Sequence, residues 1–112
     1  MSYYFNTKVF LGYELGNEVS ELVEAGKVDE DFIDELQQAG IDVIEDIFYG
    51  EFFYVGRSIS HADEDSRPNA VELPHLNAED YMEVKNKLCQ NPSLKSIIEN
   101  RQPKLYHISY YN

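Results

Sequence analysis

The chain of 112 residues has the length of one domain, residues 1–112, and its 43% hydrophobic content is enough to form a single core. Its 21 acidic and 9 basic side chains give a formal net charge of −12, which argues against direct binding to nucleic acids or anionic membranes and favours a basic partner. No apolar run approaches the roughly 20 residues that span a bilayer, the start lacks a signal-peptide pattern, and a single cysteine excludes an internal disulfide, so we expect a cytoplasmic protein.

The first forty residues predict one strand and two helices. β-Branched, aromatic and other apolar residues alternate over residues 8–15, which is typical of a strand. Asn17 is a good N-cap for a short helix that Gly26 ends. Asp29 is placed to cap a second helix, and Gly40 stands at its expected C′ position.

Residues 41–60 allow two interpretations. A helical stripe would consist of Val43, Ile44, Ile47 and Phe48. The aromatic run at 52–55, beyond the turn signal at 49–50, instead indicates two strands joined by a tight turn. We predict the hairpin.

The second half predicts a polar loop over residues 60–74, followed by two helices and a final strand. Asn77 opens the third helix and Pro92 begins the fourth. The alternating residues 104–111 predict the last strand. The order β-α-α-β-β-loop-α-α-β predicts a single-domain α+β fold, with about four strands in a mostly antiparallel sheet and helices packed on it.

The acidic residues concentrate in the first half. Residues 1–51 hold thirteen acids against two lysines, whereas residues 52–112 hold eight acids against seven bases. The candidate partner-binding residues on the first two helices are Glu18, Glu21, Glu24, Glu30, Asp31, Asp34 and Glu35. Carboxylates on a rigid surface imitate the phosphate charge that nucleic-acid-handling proteins recognise. We therefore predict a protein that engages a basic protein such as a nucleic-acid-binding enzyme, as a nucleic-acid mimic or an immunity-type inhibitor; charge for solubility alone is the alternative.

A metal site or an enzyme site has weaker support in the sequence. The spacing of His61, Asp63 and Asp65 offers three ligands, but the glycine and glutamate of an EF-hand loop are missing. With His75, these residues would line the site of a small enzyme or ligand-binding domain that uses the 60–74 loop. Neither a phosphate-binding glycine motif nor a nucleophile with an assigned base is present, so we predict no cofactor and no catalytic residue, and we expect Cys89 to be structural.

The nine tyrosines indicate a further alternative. Those near the termini and the predicted hairpin are Tyr3, Tyr4, Tyr49, Tyr54, Tyr106, Tyr110 and Tyr111. Tyrosine is enriched at protein interfaces, although it also suits strands in general. An exposed final strand would be an edge in need of protection. The alternative is an assembly subunit or homodimer that buries such edges and uses its acidic surface only for solubility.

Overall fold

The computed structural model describes residues 5–26, 31–45, 52–63 and 73–111. Within these ranges the chain forms four strands and four helices. They are β1 (Phe5–Glu14), α1 (Glu18–Glu24), α2 (Phe32–Gln38), β2 (Asp42–Glu45), β3 (Phe53–Asp63), α3 (Ala78–Leu88), α4 (Pro92–Ile98) and β4 (Lys104–Tyr111). The predicted α+β fold and its order of elements are confirmed.

The strands form one antiparallel sheet in the order β2-β3-β1-β4. β1 lies between β3 and β4, so β2 and β4 are the two edges. β2 and β3 pair as the predicted hairpin requires, and residues 46–51, which would contain its turn, lie outside the described residues. A bulge at Ile59 interrupts the pairing of β1 with β3, whereas the pairing of β1 with β4 is regular throughout.

The predicted loop over residues 60–74 is wrong at its beginning, because β3 continues to Asp63. After the bulge, Lys8 pairs with His61 and Asn6 pairs with Asp63. The backbone of β1 therefore has hydrogen-bonding partners on β3 along its length. Backbone groups need such partners whatever the polarity of the β3 side chains. Residues 73–77 precede α3 without regular structure, and residues 64–72 lie outside the described residues.

The helices end and begin largely where local signals predict. Gly26 and Gly40 adopt left-handed backbone angles, with φ of +69° and +82°, after α1 and α2. Asn17 immediately precedes α1, and its carbonyl accepts a hydrogen bond from the Glu21 amide at 3.0 Å. The N-cap of α2 is Asp31 and not Asp29, so this helix begins two residues later than predicted; Asp29 itself lies outside the described residues.

Side-chain caps fix the starts of α3 and α4. The Asn77 side chain accepts from the Asp80 amide at 3.2 Å, and the Asp80 carboxylate accepts from the Asn77 amide at 2.8 Å, which completes a capping box. The Asn91 side chain accepts from the Ser93 amide at 3.0 Å, and Pro92 occupies the first position of α4.

Alternation along the strands gives the sheet two different faces. The helix-side cluster joins the sheet to all four helices: Leu11, Tyr13, Leu15, Val19, Phe32, Leu36, Ile41, Phe53, Val55, Val84, Leu88, Leu94 and Ile98. The aromatic cluster lies on the opposite face: Phe10, Ile44 and Ile108, with Phe52, Tyr54 and Tyr106 packed against them. The Tyr54 and Tyr106 rings meet edge to face with centroids 5.3 Å apart.

Candidate interaction surface on the acidic helices

Helices α1 and α2, called here the acidic helices, bury apolar residues and expose carboxylates. Val19 in α1 and Phe32 and Leu36 in α2 belong to the helix-side cluster. The helical period places the acidic residues on other faces. The exposed ones within the two helices are Glu21, Glu24, Asp34 and Glu35, while Glu18 is half-buried.

The charge on the acidic helices is of one sign. Their sequences contain five acids and neither lysine nor arginine. α3 and α4, which pack on the same face of the sheet, contain three acids and three lysines. α2 also contacts the edge strand β2, on which Asp42 and Glu45 are exposed. The imbalance seen in the sequence therefore corresponds to particular elements of the fold.

Two cations from the second half of the chain approach the acidic helices. Arg101 forms an ion pair with Glu18. The Lys87 ammonium donates to the Gly40 carbonyl at 2.9 Å, at the C-terminal end of α2, where a positive charge is favourable. Among the described side chains, the ion pairs engage Glu18 and Asp80 and leave the exposed carboxylates of α1 and α2 without a cation.

Of the seven predicted partner-binding residues, six lie within the described ranges. Asp31 is exposed immediately before α2, and Glu18 is paired with Arg101. Glu30 lies outside the described residues. Basic side chains from later segments therefore neutralise only some of the described carboxylates in this set.

The described residues do not test the candidate metal-ligand set completely. His61 and Asp63 occupy alternate positions at the end of β3, and Asp65 lies outside the described residues. Within the described ranges, no group of three or more His, Cys, Asp or Glu side chains is arranged to hold a metal ion. His75 is exposed in the segment before α3. The alternative of an enzyme using residues 60–74 remains a hypothesis.

A polar cleft that the sequence does not predict lies where β1 ends and β4 begins. Its volume is about 420 Å³, and its walls come from Tyr13, Glu14, Arg101, Gln102, Lys104 and Tyr106. The Tyr13 hydroxyl donates to the Arg101 carbonyl at 3.3 Å. These residues are up to 93 positions apart in the sequence. Tyr106, one of the tyrosines that the sequence assigns to a possible interface, is the one lining residue that the sequence patterns single out.

Two phenols in and beside this cleft, those of Tyr13 and Tyr54, are held in the neutral form. The pKa of Tyr13 is raised to about 12, chiefly by burial and also by nearby Cys89, while Arg101 opposes the increase. Burial also raises the pKa of Tyr54, and the carboxylate of Glu14, which accepts a hydrogen bond from its hydroxyl, adds to the increase. These hydroxyl groups are therefore hydrogen-bond donors at neutral pH rather than general bases.

The raised pKa of Tyr13 predicts a stability loss in alkali. The fold favours the neutral phenol, so its contribution is complete below the ordinary pKa of 10.0 and is lost as the pH rises through about 12. We expect the free energy of unfolding of the parent protein to fall more steeply over this pH range than that of Tyr13→Phe, which cannot ionise there. Urea unfolding at a series of pH values measures the difference. Parallel pH profiles would contradict the assignment.

The comparisons with known proteins identify no relative, so the function has to be inferred from the geometry of this chain. No protein-family model, curated protein or solved structure matches it. In the part of the chain that the structure describes, no helix combines the length and apolar character needed to cross a membrane.

Proposed function

We propose that the protein is a small binding protein whose acidic helices engage a basic, nucleic-acid-handling protein and inhibit it by occupying its nucleic-acid site. The observation that carries this proposal is the exposure, on two helices that lack any lysine or arginine, of carboxylates that form no ion pair with the residues the structure describes. The neighbouring helices α3 and α4 are balanced in charge.

Anchoring of the acidic helices makes this charge suitable for recognition. Leu36 and Phe32 of α2 are 1% and 4% exposed, and Val19 of α1 is 9% exposed, so each acidic helix packs against the helix-side cluster through buried apolar residues. Carboxylates on such a frame lose little backbone freedom on binding, which reduces the entropic cost of association. A Lys- and Arg-lined nucleic-acid site would be attracted to them, and the association rate would fall with salt.

Solubility alone explains net charge but not its segregation. A surface that only prevents aggregation works best with both signs of charge interspersed. Here α3 and α4 have that mixed pattern and the acidic helices do not. The segregation favours a cationic target.

Charge reversal of Glu21 and Glu24 to lysine tests the proposal. Immobilised parent protein is expected to retain a basic nucleic-acid-binding protein from source-cell lysate at about 50 mM salt and to release it at about 500 mM, because screening weakens the attraction. The variant Glu21→Lys/Glu24→Lys should lose this capture. The parent should also block nucleic-acid binding by the purified captured protein.

The matched control is Glu83→Lys/Glu99→Lys, which makes the same change in net charge at exposed positions of α3 and just after α4. It should capture the partner as the parent does, and circular dichroism should show both variants folded. Equal loss in both variants would assign the effect to net charge and contradict a role for the acidic helices. Capture without inhibition of nucleic-acid binding would contradict the mimicry.

A further inference from the structure

The two edges of the sheet differ in ways that bear on association. β2 has four residues, and its exposed Asp42 and Glu45 provide the charge that protects edge strands. β4 has eight residues, and its pairing with β1 runs without a bulge from Tyr111 to Lys104. β4 pairs only with β1 among the described residues, and within this part of the chain its outer backbone groups are available to another strand.

The β4 edge is also where two copies of this acidic chain meet the least repulsion. β4 contains Lys104 and no acid. The segment of β1 that pairs with it, residues 5–12, contains Lys8 and no acid. Contact through the acidic helices would instead bring carboxylates of both copies together, which is unfavourable.

An apolar groove lies beside this edge on the helix side of the sheet. Its volume is about 220 Å³, and its lining includes Val9, Ile59, Leu76, Tyr81 and Leu105. Leu105, which is 47% exposed, is the lining residue that belongs to β4 itself. A strand added to β4 would bring its own side chains next to this groove, because side chains of paired residues share one face of a sheet.

We propose that β4 of one copy pairs antiparallel with β4 of a second copy, joining two four-stranded sheets into one continuous sheet. A two-fold axis that keeps the helix layers of both copies on the same face is normal to the sheet. Pairing along nearly the whole length of β4 places this axis at the middle of the strand, at His107 or at Ile108. In the first register, with the axis at His107, Leu105 is opposite Ser109 of the partner subunit. In the second register, with the axis at Ile108, His107 is opposite Ser109 of the partner subunit.

The proposed dimerisation and the proposed capture of a basic partner depend on salt concentration in opposite ways. Screening reduces the repulsion between two acidic copies, so dimerisation strengthens with salt, whereas capture of a basic partner weakens. The dimer does not depend on the acidic helices, and either proposal can fail without the other.

The variant His107→Glu/Ser109→Glu tests both registers at once. Either axis places a new carboxylate directly opposite another, and like charges in that position disfavour strand pairing. The matched control, Asn86→Glu/Ser96→Glu, adds the same charge at exposed positions of α3 and α4. Sedimentation velocity over a concentration series to about 100 µM should show a monomer–dimer equilibrium for the parent and the control, and at least about tenfold weaker dimerisation for the edge variant.

A cysteine cross-link tests the geometry of the pairing. In a Cys89→Ser background, oxidation should link two His107→Cys copies in the first register, or a His107→Cys copy with a Ser109→Cys copy in the second, whereas Ser96→Cys should remain monomeric. A parent protein that stays monomeric throughout the concentration series would overturn the proposal. Dimerisation of the edge variant with the affinity of the control would do so as well.

Discussion

Replacing Gly12 with alanine is expected to lower the free energy of unfolding by about 4 kcal/mol or more, enough to threaten a domain of ordinary stability. A Cβ atom at Gly12 would lie 2.0 Å from the Val55 carbonyl oxygen and 2.9 Å from the Gly56 Cα. These are backbone atoms of the neighbouring strand β3. Since β1 is also paired with β4, it cannot move away without disrupting hydrogen bonds on its other side.

Gly56 should behave in the same way. Its Cβ would lie 2.1 Å from the Leu11 carbonyl oxygen, and its φ of +155° disfavours other residues. Gly16 supplies the control, because it has a φ of +51° but nothing within 4 Å of a built Cβ. Gly16→Ala should therefore cost only the backbone strain, about 1–2 kcal/mol. Urea unfolding measures all three variants, and equal losses at Gly12 and Gly16 would show that the close approach of β1 and β3 is wrong.

This glycine pair shows why some features were predictable and others were not. A glycine that ends a helix, such as Gly40, follows a local pattern and was identified from its neighbours in the sequence. Gly12 and Gly56 lie inside strands, where a glycine indicates a bulge or a close approach of another backbone. Their mutual contact depends on which strands become neighbours, and the strand order was not predicted because hydrophobic alternation identifies a strand without specifying its partner.

The candidate site shows the same division. Exposure of Asp34 and Glu35 follows from the helical period once Phe32 and Leu36 are assigned to the core. The ion pair between Glu18 and Arg101 joins residues 83 positions apart and depends on the packing of the complete chain. The sequence does not predict the extension of β3 through His61 for a related reason. This extension depends on pairing with β1, which joins distant parts of the chain.

The aromatic cluster leads to the second prediction of large effect. Phe10 is 0% exposed, although it faces away from the four described helices. Ile44 and Ile108 are also buried against it, and its ring meets that of Tyr54 edge to face with centroids 6.5 Å apart. A dry environment on this face means that the sheet is stabilised from both sides.

Phe10→Ala should therefore lower the free energy of unfolding by about 3–5 kcal/mol, the loss typical of removing a buried phenylalanine ring. Met82→Ala is the control, because Met82 is 54% exposed on α3, so its truncation should cost less than about 1 kcal/mol. Both are measured by urea unfolding at a concentration where the protein is monomeric. A loss for Phe10→Ala no larger than that for Met82→Ala would mean that this face is accessible to water, and the helix-side cluster alone would then have to stabilise the fold.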